Sequence, residues 1–228
     1  NTLPLIYDQN TTNNQEFTRT QAWYDLSIAV QPDTATIVYL GAIDYVKSKD
    51  AGATYKQITA WSLFNMPGAA NLGSNQIMHS DHHALVFKPG NSSYALFGCD
   101  GGLYKSTNMR NTWPTQPTVA TINTNFSVTE FYSCAIANTA SSSNLLGGAQ
   151  DNGSIKINAP GVASGTAVSG GDGCFVFIDQ TNSNNQITSY VYNNFYVSTN
   201  ATTFSALTGS NNTGSFVNPS DLDGTNDI

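Results

Sequence analysis

Three copies of a short motif rich in serine and threonine constrain the fold of this 228-residue chain more than any other feature. The copies read SKDAGATY at residues 48–55, STNMRNTW at residues 106–113 and STNATTF at residues 198–204. The gap between the second and third copies is wide enough for one further unit that lacks the motif. Units of roughly 45 to 58 residues are characteristic of propeller blades.

Short runs of strand-forming residues precede each copy of the motif. They are rich in Val, Ile, Leu, Phe and Tyr and are bounded by Gly, Pro, Asn or Asp, which is typical of strands. No long stretch has the 3.6-residue period of a helix. The sequence therefore predicts an all-β fold, a β-propeller segment of about four four-stranded blades that belongs to a larger ring. We expect a lead-in or blade-closing segment at 1–22, blades at 23–61, 80–118, 128–160 and 172–208, and a linker into a further blade at 209–228.

The repeated motif resembles the Asp box, or BNR repeat, of sialidases, sortilin-type receptors and xyloglucan-active glycoside hydrolases. That resemblance implies a turn between the third and fourth strands of a blade, in which the Asp or Asn side chain accepts backbone N–H bonds. A narrower resemblance, to large secreted Bacteroidetes proteins labelled glycosyl hydrolase, comes from short segments between the motifs. These segments are WYDL at 23–26, HSDHHAL at 79–85, GCDGG at 98–102, GGAQDNG at 147–153 and GGDG at 170–173. This second resemblance implies a secreted or cell-surface protein, exported by type IX secretion.

Acidic residues fall at regular places relative to the predicted strands. In a blade the first strand starts, and the second strand ends, on the same face of the propeller. Seven acids occupy these two places: Asp25, Asp81, Glu130 and Asp172 before first strands, and Asp44, Asp100 and Asp151 after second strands. We expect all seven on one face around the channel mouth. Because the chain has only eight Lys and Arg residues, this face favours bound cations or raised carboxyl pKa values.

Glycoside hydrolysis is one use of such a face, because it needs two carboxyl groups about 5 to 9.5 Å apart. The candidates for these catalytic groups are Asp81, Asp100, Asp151 and Asp172. Aromatic residues that could stack on sugar rings are expected near the same rim, namely Trp23, Tyr24, Trp61, Phe131 and Tyr132. Sialidase activity is excluded, because sialidases hold the substrate carboxylate with three arginines and this chain has only Arg19 and Arg110.

Metal binding is a second use of the acidic face. The histidines and acids of the HSDHH segment suit a transition metal, with His79, Asp81, His82 and Asp100 as candidate ligands. Strand alternation sends His82 and His83 to opposite sides, so that all three histidines cannot easily share one ion. The Asp-Gly-Gly and Asp-Asn-Gly turns suit the oxygen-rich coordination of calcium instead. Histidines hydrogen-bonded to nearby backbone are the alternative without a metal.

A rigid binding or display module for a glycan or a protein is the third use, and it is the function that we expect. A net charge of −7 opposes binding to nucleic acid or to an anionic membrane surface. Insertion into a membrane is not expected either, because no apolar run approaches the length of a membrane span. The sequence thus predicts an extracellular module with a polysaccharide or protein partner on its acidic face, with a glycoside hydrolase as the alternative.

Overall fold

A computed structural model describes residues 4–6, 15–61, 72–126, 129–139, 143–159, 165–209 and 212–223. Half of the predicted lead-in and the end of the predicted linker lie outside these ranges. The chain divides into two compact units, Asn1–Ser127 and Val128–Ile228. Within the described ranges the only helix is a 3-10 turn at Ser74–Gln76, and no helix there is long and apolar enough to cross a membrane.

The first unit holds a two-stranded ribbon and two four-stranded sheets. The ribbon pairs β1 (Leu5–Ile6) with β2 (Gln15–Glu16). The first sheet consists of β3 (Ser27–Val30), β4 (Val38–Gly41), β5 (Tyr45–Ser48) and β6 (Lys56–Gln57). The second sheet consists of β7 (His82–Lys88), β8 (Asn91–Cys99), β9 (Gly102–Ser106) and β10 (Ala120–Thr121).

The second unit holds two further four-stranded sheets. Its first sheet is the repeat that lacks the motif, and it consists of β11 (Phe131–Ile136), β12 (Leu145–Ala149), β13 (Gly153–Ile157) and β14 (Gly165–Ala167). Its second sheet consists of β15 (Val176–Ile178), β16 (Gln186–Tyr190), β17 (Asn194–Ser198) and β18 (Ser205–Ala206).

Each of the four-stranded sheets is an antiparallel meander in which every strand pairs with the next one along the chain. In the first unit β7 also lies beside β3 and β4, and in the second unit β15 lies beside β11 and β12. In a β-propeller the first strands of adjacent blades lie side by side. The fold is therefore an all-β propeller segment, and its four sheets are the four blades that the sequence predicts.

The repeated motif forms the connection between the third and fourth strands in three of the four sheets. In the first copy Thr54 donates its backbone N–H and its hydroxyl to Asp50, at 2.8 and 2.6 Å. The Ser48 hydroxyl donates to the same carboxylate and accepts the N–H of Gly52 at 2.8 Å. Gly52 has a φ of +89°, where glycine is favoured. The side chains that take the place of Asp50 in the other copies are Asn108 and Asn200.

The core of the first unit joins residues of both of its four-stranded sheets. Its largest members, all fully buried, are Tyr39, Tyr45, Phe97, Ile58, Met78 and Met109. The buried hydroxyls are satisfied, as burial without a partner would be costly: Tyr39 donates to the Met109 carbonyl at 3.0 Å and Tyr45 is 3.0 Å from the Ser27 hydroxyl. A smaller core in the second unit is built from Ala137, Leu146, Val176 and Ile178.

One side of β3 and the residue leading into it carries exposed apolar side chains. Leu26, Ile28 and Val30 are 55%, 72% and 48% exposed, and they alternate with less exposed residues as a strand requires. A neighbouring sheet would cover an apolar strip of this kind. The continuation of the chain into further blades stays a prediction.

Candidate functional site

The predicted acids stand at the predicted strand ends in both units. In the first unit Asp25 and Asp81 come just before β3 and β7, and Asp44 and Asp100 come after β4 and β8. In the second unit Glu130 and Asp172 precede β11 and β15, and Asp151 follows β12. Because neighbouring strands of a meander run in opposite directions, these ends meet at one edge within each unit.

Asp100 is held in place by two donors from its own unit. The Tyr24 hydroxyl donates to one carboxylate oxygen at 2.8 Å, and Nε2 of His83 is 2.6 Å from the other. The rings of Tyr24 and His83 meet edge to face, with centroids 5.1 Å apart. Two donors and a ring contact fix the direction in which this carboxylate points, so it is ready to accept further hydrogen bonds from a ligand.

Asp25 and Asp81 form a buried carboxyl pair. Asp25 is completely buried, and neither of its oxygens accepts a hydrogen bond from an N–H or a hydroxyl of the described residues. The charge of the neighbouring Asp81 carboxyl group acts on it, and two carboxyl groups can lie together in a buried place only when one of them holds a proton. Burial, followed by the charge of Asp81, raises the pKa of Asp25 to about 7. Burial and the charge of Asp100 also raise the pKa of Asp81.

Asp81 and Asp100 lie side by side at the base of the β7–β8 hairpin. One oxygen of each carboxyl group lies within 4.8 Å of the other. The backbone N–H of Asp100 donates to the Asp81 carbonyl at 3.2 Å, and Gln21 donates to the Asp81 side chain at 3.3 Å. Asp81 has a φ of +63°, a left-handed conformation in which Asp is one of the better tolerated residues. The hairpin therefore presents one carboxyl group with a raised pKa beside one that is fixed by donors.

The predicted histidine ligands are not gathered around these two acids. His82 is completely buried, its ring lies 4.6 Å from that of Tyr45, and burial lowers its pKa to about 3. His79 approaches the backbone carbonyl of Ser80 through Nδ1, at 3.2 Å. His83 is the histidine that bonds to an acid. It is exposed, whereas the adjacent His82 is buried, and the strand has a register shift between His82 and Ala84.

The chemistry of this donor set is a poor match for calcium, which takes six to eight oxygen ligands. In the first unit both oxygens of Asp100 already accept hydrogen bonds, and the Asp81 side chain already accepts one from Gln21. A calcium ion would have to displace these contacts. Calcium binding and transition-metal binding stay predictions of the sequence.

Asp151 and Asp172 come together in the second unit. The Asp172 carboxylate accepts the backbone N–H of Asp151 at 3.1 Å. The Tyr132 hydroxyl nearby donates to the Gln150 side chain at 2.8 Å. Burial, and after it the negative charges of Asp172 and Glu130, raise the pKa of Tyr132 to about 12. This edge is thus also acidic, although its two aspartates are joined through a backbone bond.

Aromatic side chains border the carboxylates of the first unit. Trp23 is 84% exposed, and its ring centroid lies 5.8 Å from that of Tyr24. Trp61, in contrast, is half-buried and packs against the buried cluster that contains Ile6 and Val46, and its place near the rim stays a prediction. We call the surface formed by Trp23, Tyr24, Asp81, His83 and Asp100 the aromatic-acidic surface.

Two members of this arrangement were not among the predicted site residues. His83 was set aside in favour of His79 and His82, and the signal that could have found it is the HSDHH segment itself, which offers three histidines before the first strand of the sheet. Gln21 carries no recognisable signal, because its approach to Asp81 spans 60 residues of sequence. Only the contact between the first two sheets of the unit brings these groups together.

Comparison with known proteins yields structural neighbours only. A scan against known protein families finds no match, and neither does a search of characterised proteins. The GH74 xyloglucanase of Xanthomonas campestris resembles this chain with a TM-score of 0.48 and 14% identity, over 78% of this chain and 27% of that one. The GH74 enzyme of Niastella koreensis does so with a TM-score of 0.32 and 14% identity, over 83% and 35%.

A third neighbour is YCF48 from Cyanidioschyzon merolae, with a TM-score of 0.29 and 8% identity, over 78% of this chain and 55% of that one. All three likenesses concern the arrangement of strands alone. The chain spans 27% and 35% of the lengths of the two GH74 enzymes.

Proposed function

We propose that this chain binds a glycan at the aromatic-acidic surface, as an extracellular binding module of a larger propeller protein. The observation that carries the proposal is the exposure of Trp23, at 84%, directly beside an aromatic ring and a fixed carboxylate. An indole of this size is seldom left in water. Large exposed apolar groups rimmed by polar residues mark binding sites.

A sugar ring matches both halves of this surface. Its axial C–H groups form an apolar face that can cover the Trp23 indole, whose burial removes a large area from water. Its hydroxyl groups can donate to Asp100, whose orientation is already set by Tyr24 and His83. Because the carboxylate is held before the ligand arrives, little side-chain entropy is lost on binding.

Titration of the 228-residue chain with neutral plant and algal oligosaccharides, xyloglucan fragments included, tests the proposal by calorimetry. Trp23→Ala should weaken binding of a positive ligand by about tenfold or more, since an aromatic anchor in a binding site contributes on the order of 2 kcal/mol. Phe126→Ala is the matched control, because Phe126 is a 48% exposed aromatic residue of the same unit outside the surface. Binding that tolerates Trp23→Ala, or that is lost equally in the control, would contradict the proposal.

Glycoside hydrolysis is the second candidate, favoured by the proximity of Asp81 and Asp100. Their nearest oxygens lie within 4.8 Å, close to the separation of about 5 to 5.5 Å of retaining glycosidases. Asp81, whose pKa is raised, suits the general acid, and Asp100 suits the group that attacks the anomeric carbon.

Release of reducing ends from the same oligosaccharides distinguishes a hydrolase from a binding module. A hydrolase should lose activity by about a thousandfold or more in Asp81→Asn and in Asp100→Asn, since each carboxyl group acts in the chemical step. A chain that binds the glycan and releases no reducing ends is a binding module. Asp221→Asn, at an exposed aspartate of the other unit, is the control for charge removal.

A further inference from the structure

A basic cavity lies at the end of β5 that is remote from the acids. β5 starts next to Asp44 and ends at Lys47 and Ser48, where a cavity of about 340 Å³ opens in the first unit. Its walls include three lysines, Lys47, Lys49 and Lys56, together with Trp113 and Gln116. These three lysines stand out because the whole chain has eight Lys and Arg residues and a net charge of −7.

The positive charge of the cavity is not neutralised by its one acidic wall residue. The Asp50 carboxylate accepts two bonds from Thr54 and one from Ser48 within the repeated turn, and these bonds lower its pKa to about 2. Across the described ranges, Lys49 and Lys56 form no ion pair with an acid. The walls therefore carry three positive side chains and one carboxylate, which is already hydrogen-bonded within its turn. An anionic ligand would balance this excess of positive charge.

Lys47 places an ammonium group at the inner wall of the cavity. The residue is 5% exposed. Its Nζ donates to the carbonyl oxygens of Met109 and Asn111, at 2.7 and 2.9 Å. Burial, and after it the charge of Lys49, lower its pKa to about 8, so it is still mostly protonated at neutral pH. A buried cation with a cationic neighbour is the arrangement that an incoming anion relieves.

The remaining walls offer an apolar surface and a free amide. Trp113 is 41% exposed, with the Lys56 Nζ 4.4 Å from a ring centroid. Gln116 is 7% exposed, and its side-chain amide forms no hydrogen bond with any described residue. An amide that has no protein partner can donate to and accept from a ligand. An indole, an amide and nearby threonine hydroxyls are groups that pack against and hydrogen-bond to a polyhydroxylated ring.

We propose that this cavity binds an acidic sugar, with its carboxylate or sulfate group among the three lysines and its ring against Trp113 and Gln116. The cavity volume is within the range of about 300 to 1,000 Å³ of small-molecule sites. The carboxylate or sulfate group balances the charge of the lysines, and the ring hydroxyls hydrogen-bond to the Gln116 amide. A simple inorganic anion would balance the charge but has no ring hydroxyls for the amide. This site is separate from the aromatic-acidic surface and goes beyond the function proposed there.

Nuclear magnetic resonance titration of the full chain tests the site, because Trp113 reports from its wall. The chain has three tryptophans, and Trp113→Phe identifies the indole signal that belongs to the cavity. The probes are glucuronic acid, glucose 6-sulfate, glucose and a peptide of four glutamates. A saturable shift of the Trp113 signal with an acidic sugar supports the proposal, and the acid that binds identifies the group as carboxylate, sulfate or either one.

Removal of the exposed lysines tests the role of charge without disturbing the core. Lys49→Ala and Lys56→Ala should each raise the Kd for the acidic sugar by about tenfold, and added salt should raise it further. Lys88→Ala is the matched control, since Lys88 also lies over an aromatic ring, that of Tyr94 at 5.7 Å. Trp23→Ala should leave this binding unchanged, so failure here is distinct from failure at the aromatic-acidic surface.

Four outcomes would overturn the proposal. They are the absence of a saturable shift with either acidic sugar, equal affinity for glucose, tighter binding of the glutamate peptide than of both acidic sugars, and an equal loss in Lys88→Ala.

Discussion

The carboxyl groups of Asp25 and Asp81 act on each other, so that the charge of Asp81 helps to raise the pKa of Asp25, although the two residues are 56 positions apart and Asp25 is completely buried. Asp25 leads into the first strand of one sheet and Asp81 leads into the first strand of the next. Two carboxylates cannot occupy such a site together, because like charges in a poorly solvated place repel strongly. The contact between the two sheets is therefore tied to the presence of one proton.

The proton that buried Asp25 keeps on folding predicts that the chain becomes less stable as the pH rises. The pKa of Asp25 is raised from 3.8 to about 7 on folding, so the folded chain keeps a proton that the unfolded chain has lost between these values. The free energy of unfolding should fall across this window, by up to about 1.4 kcal/mol per pH unit for one proton. Thermal unfolding followed by circular dichroism between pH 4 and pH 8 measures this slope.

Asp25→Asn tests the origin of this slope, because the amide resembles a protonated carboxyl group and carries no charge. The variant should have a flatter pH profile and should be more stable than the parent chain at pH 8, by on the order of 2 kcal/mol. Asp221→Asn, at an exposed aspartate, is the matched control and should keep the parental slope. If the pH profile of stability in Asp25→Asn parallels that of the parent chain, the slope does not come from a proton on this pair.

The bond between Tyr24 and Asp100 predicts a separate effect on ligand binding. Tyr24→Phe removes the hydroxyl that donates to Asp100 at 2.8 Å and leaves the ring in place. The carboxylate should then be less well oriented, and glycan affinity should fall by about three- to tenfold, the size of one hydrogen bond to a charged group at an exposed site. Calorimetric titration of the variant measures this loss.

The melting temperature should change little in Tyr24→Phe, because the bond is at the surface. Tyr94→Phe, on the strand β8 of the same unit, is the control for loss of a tyrosine hydroxyl. Unchanged affinity in Tyr24→Phe would show that the orientation of Asp100 does not matter to the ligand.

The repeated turn predicts a loss of stability when its central side chain is removed. Asn108 accepts the backbone N–H of Thr118 at 2.8 Å and the Ser106 hydroxyl at 3.0 Å. Asn108→Ala leaves both donors without this acceptor and should lower the free energy of unfolding by about 1 to 2 kcal/mol. Urea unfolding measures the change, with Asn158→Ala, at an exposed residue after β13, as the control. Equal stability of Asn108→Ala and the parent would show that the turn does not depend on this side chain.

The fold could be predicted from the sequence because its signals are local. Strand composition, turn residues and the repeated motif each act over a few neighbouring residues, and together they place the strands of all four sheets, including the sheet without a motif. The acids could likewise be assigned to strand ends, since a meander reverses direction at every turn. Strand alternation did not indicate which of His82 and His83 is buried, and the buried His82 was the one chosen as a candidate ligand.

The contacts of the site could not be predicted, because they join different sheets. Asp25 is flanked by Trp23, Tyr24 and Leu26, and these exposed neighbours give no sign that the carboxyl group between them is completely buried. The packing of Trp61 against a core that includes the distant Ile6 could not be predicted either. Lys47 lies just before the first copy of the repeated motif, and Trp113 ends the second copy. The cavity between them is therefore formed only when the two neighbouring sheets pack together.

Gly148 predicts a steric effect in the second unit, where a strand is packed against backbone. A Cβ added to this residue of β12 would lie 1.7 Å from the carbonyl oxygen of Cys174. Because backbone cannot turn aside as a flexible side chain can, Gly148→Ala should separate β12 from the segment before β15 and cost about 2 kcal/mol or more. Gly170→Ala is the matched control, since nothing lies within 4 Å of its added Cβ. Thermal unfolding of both variants measures the difference, and equal melting temperatures would mean that these two segments are not in contact in solution.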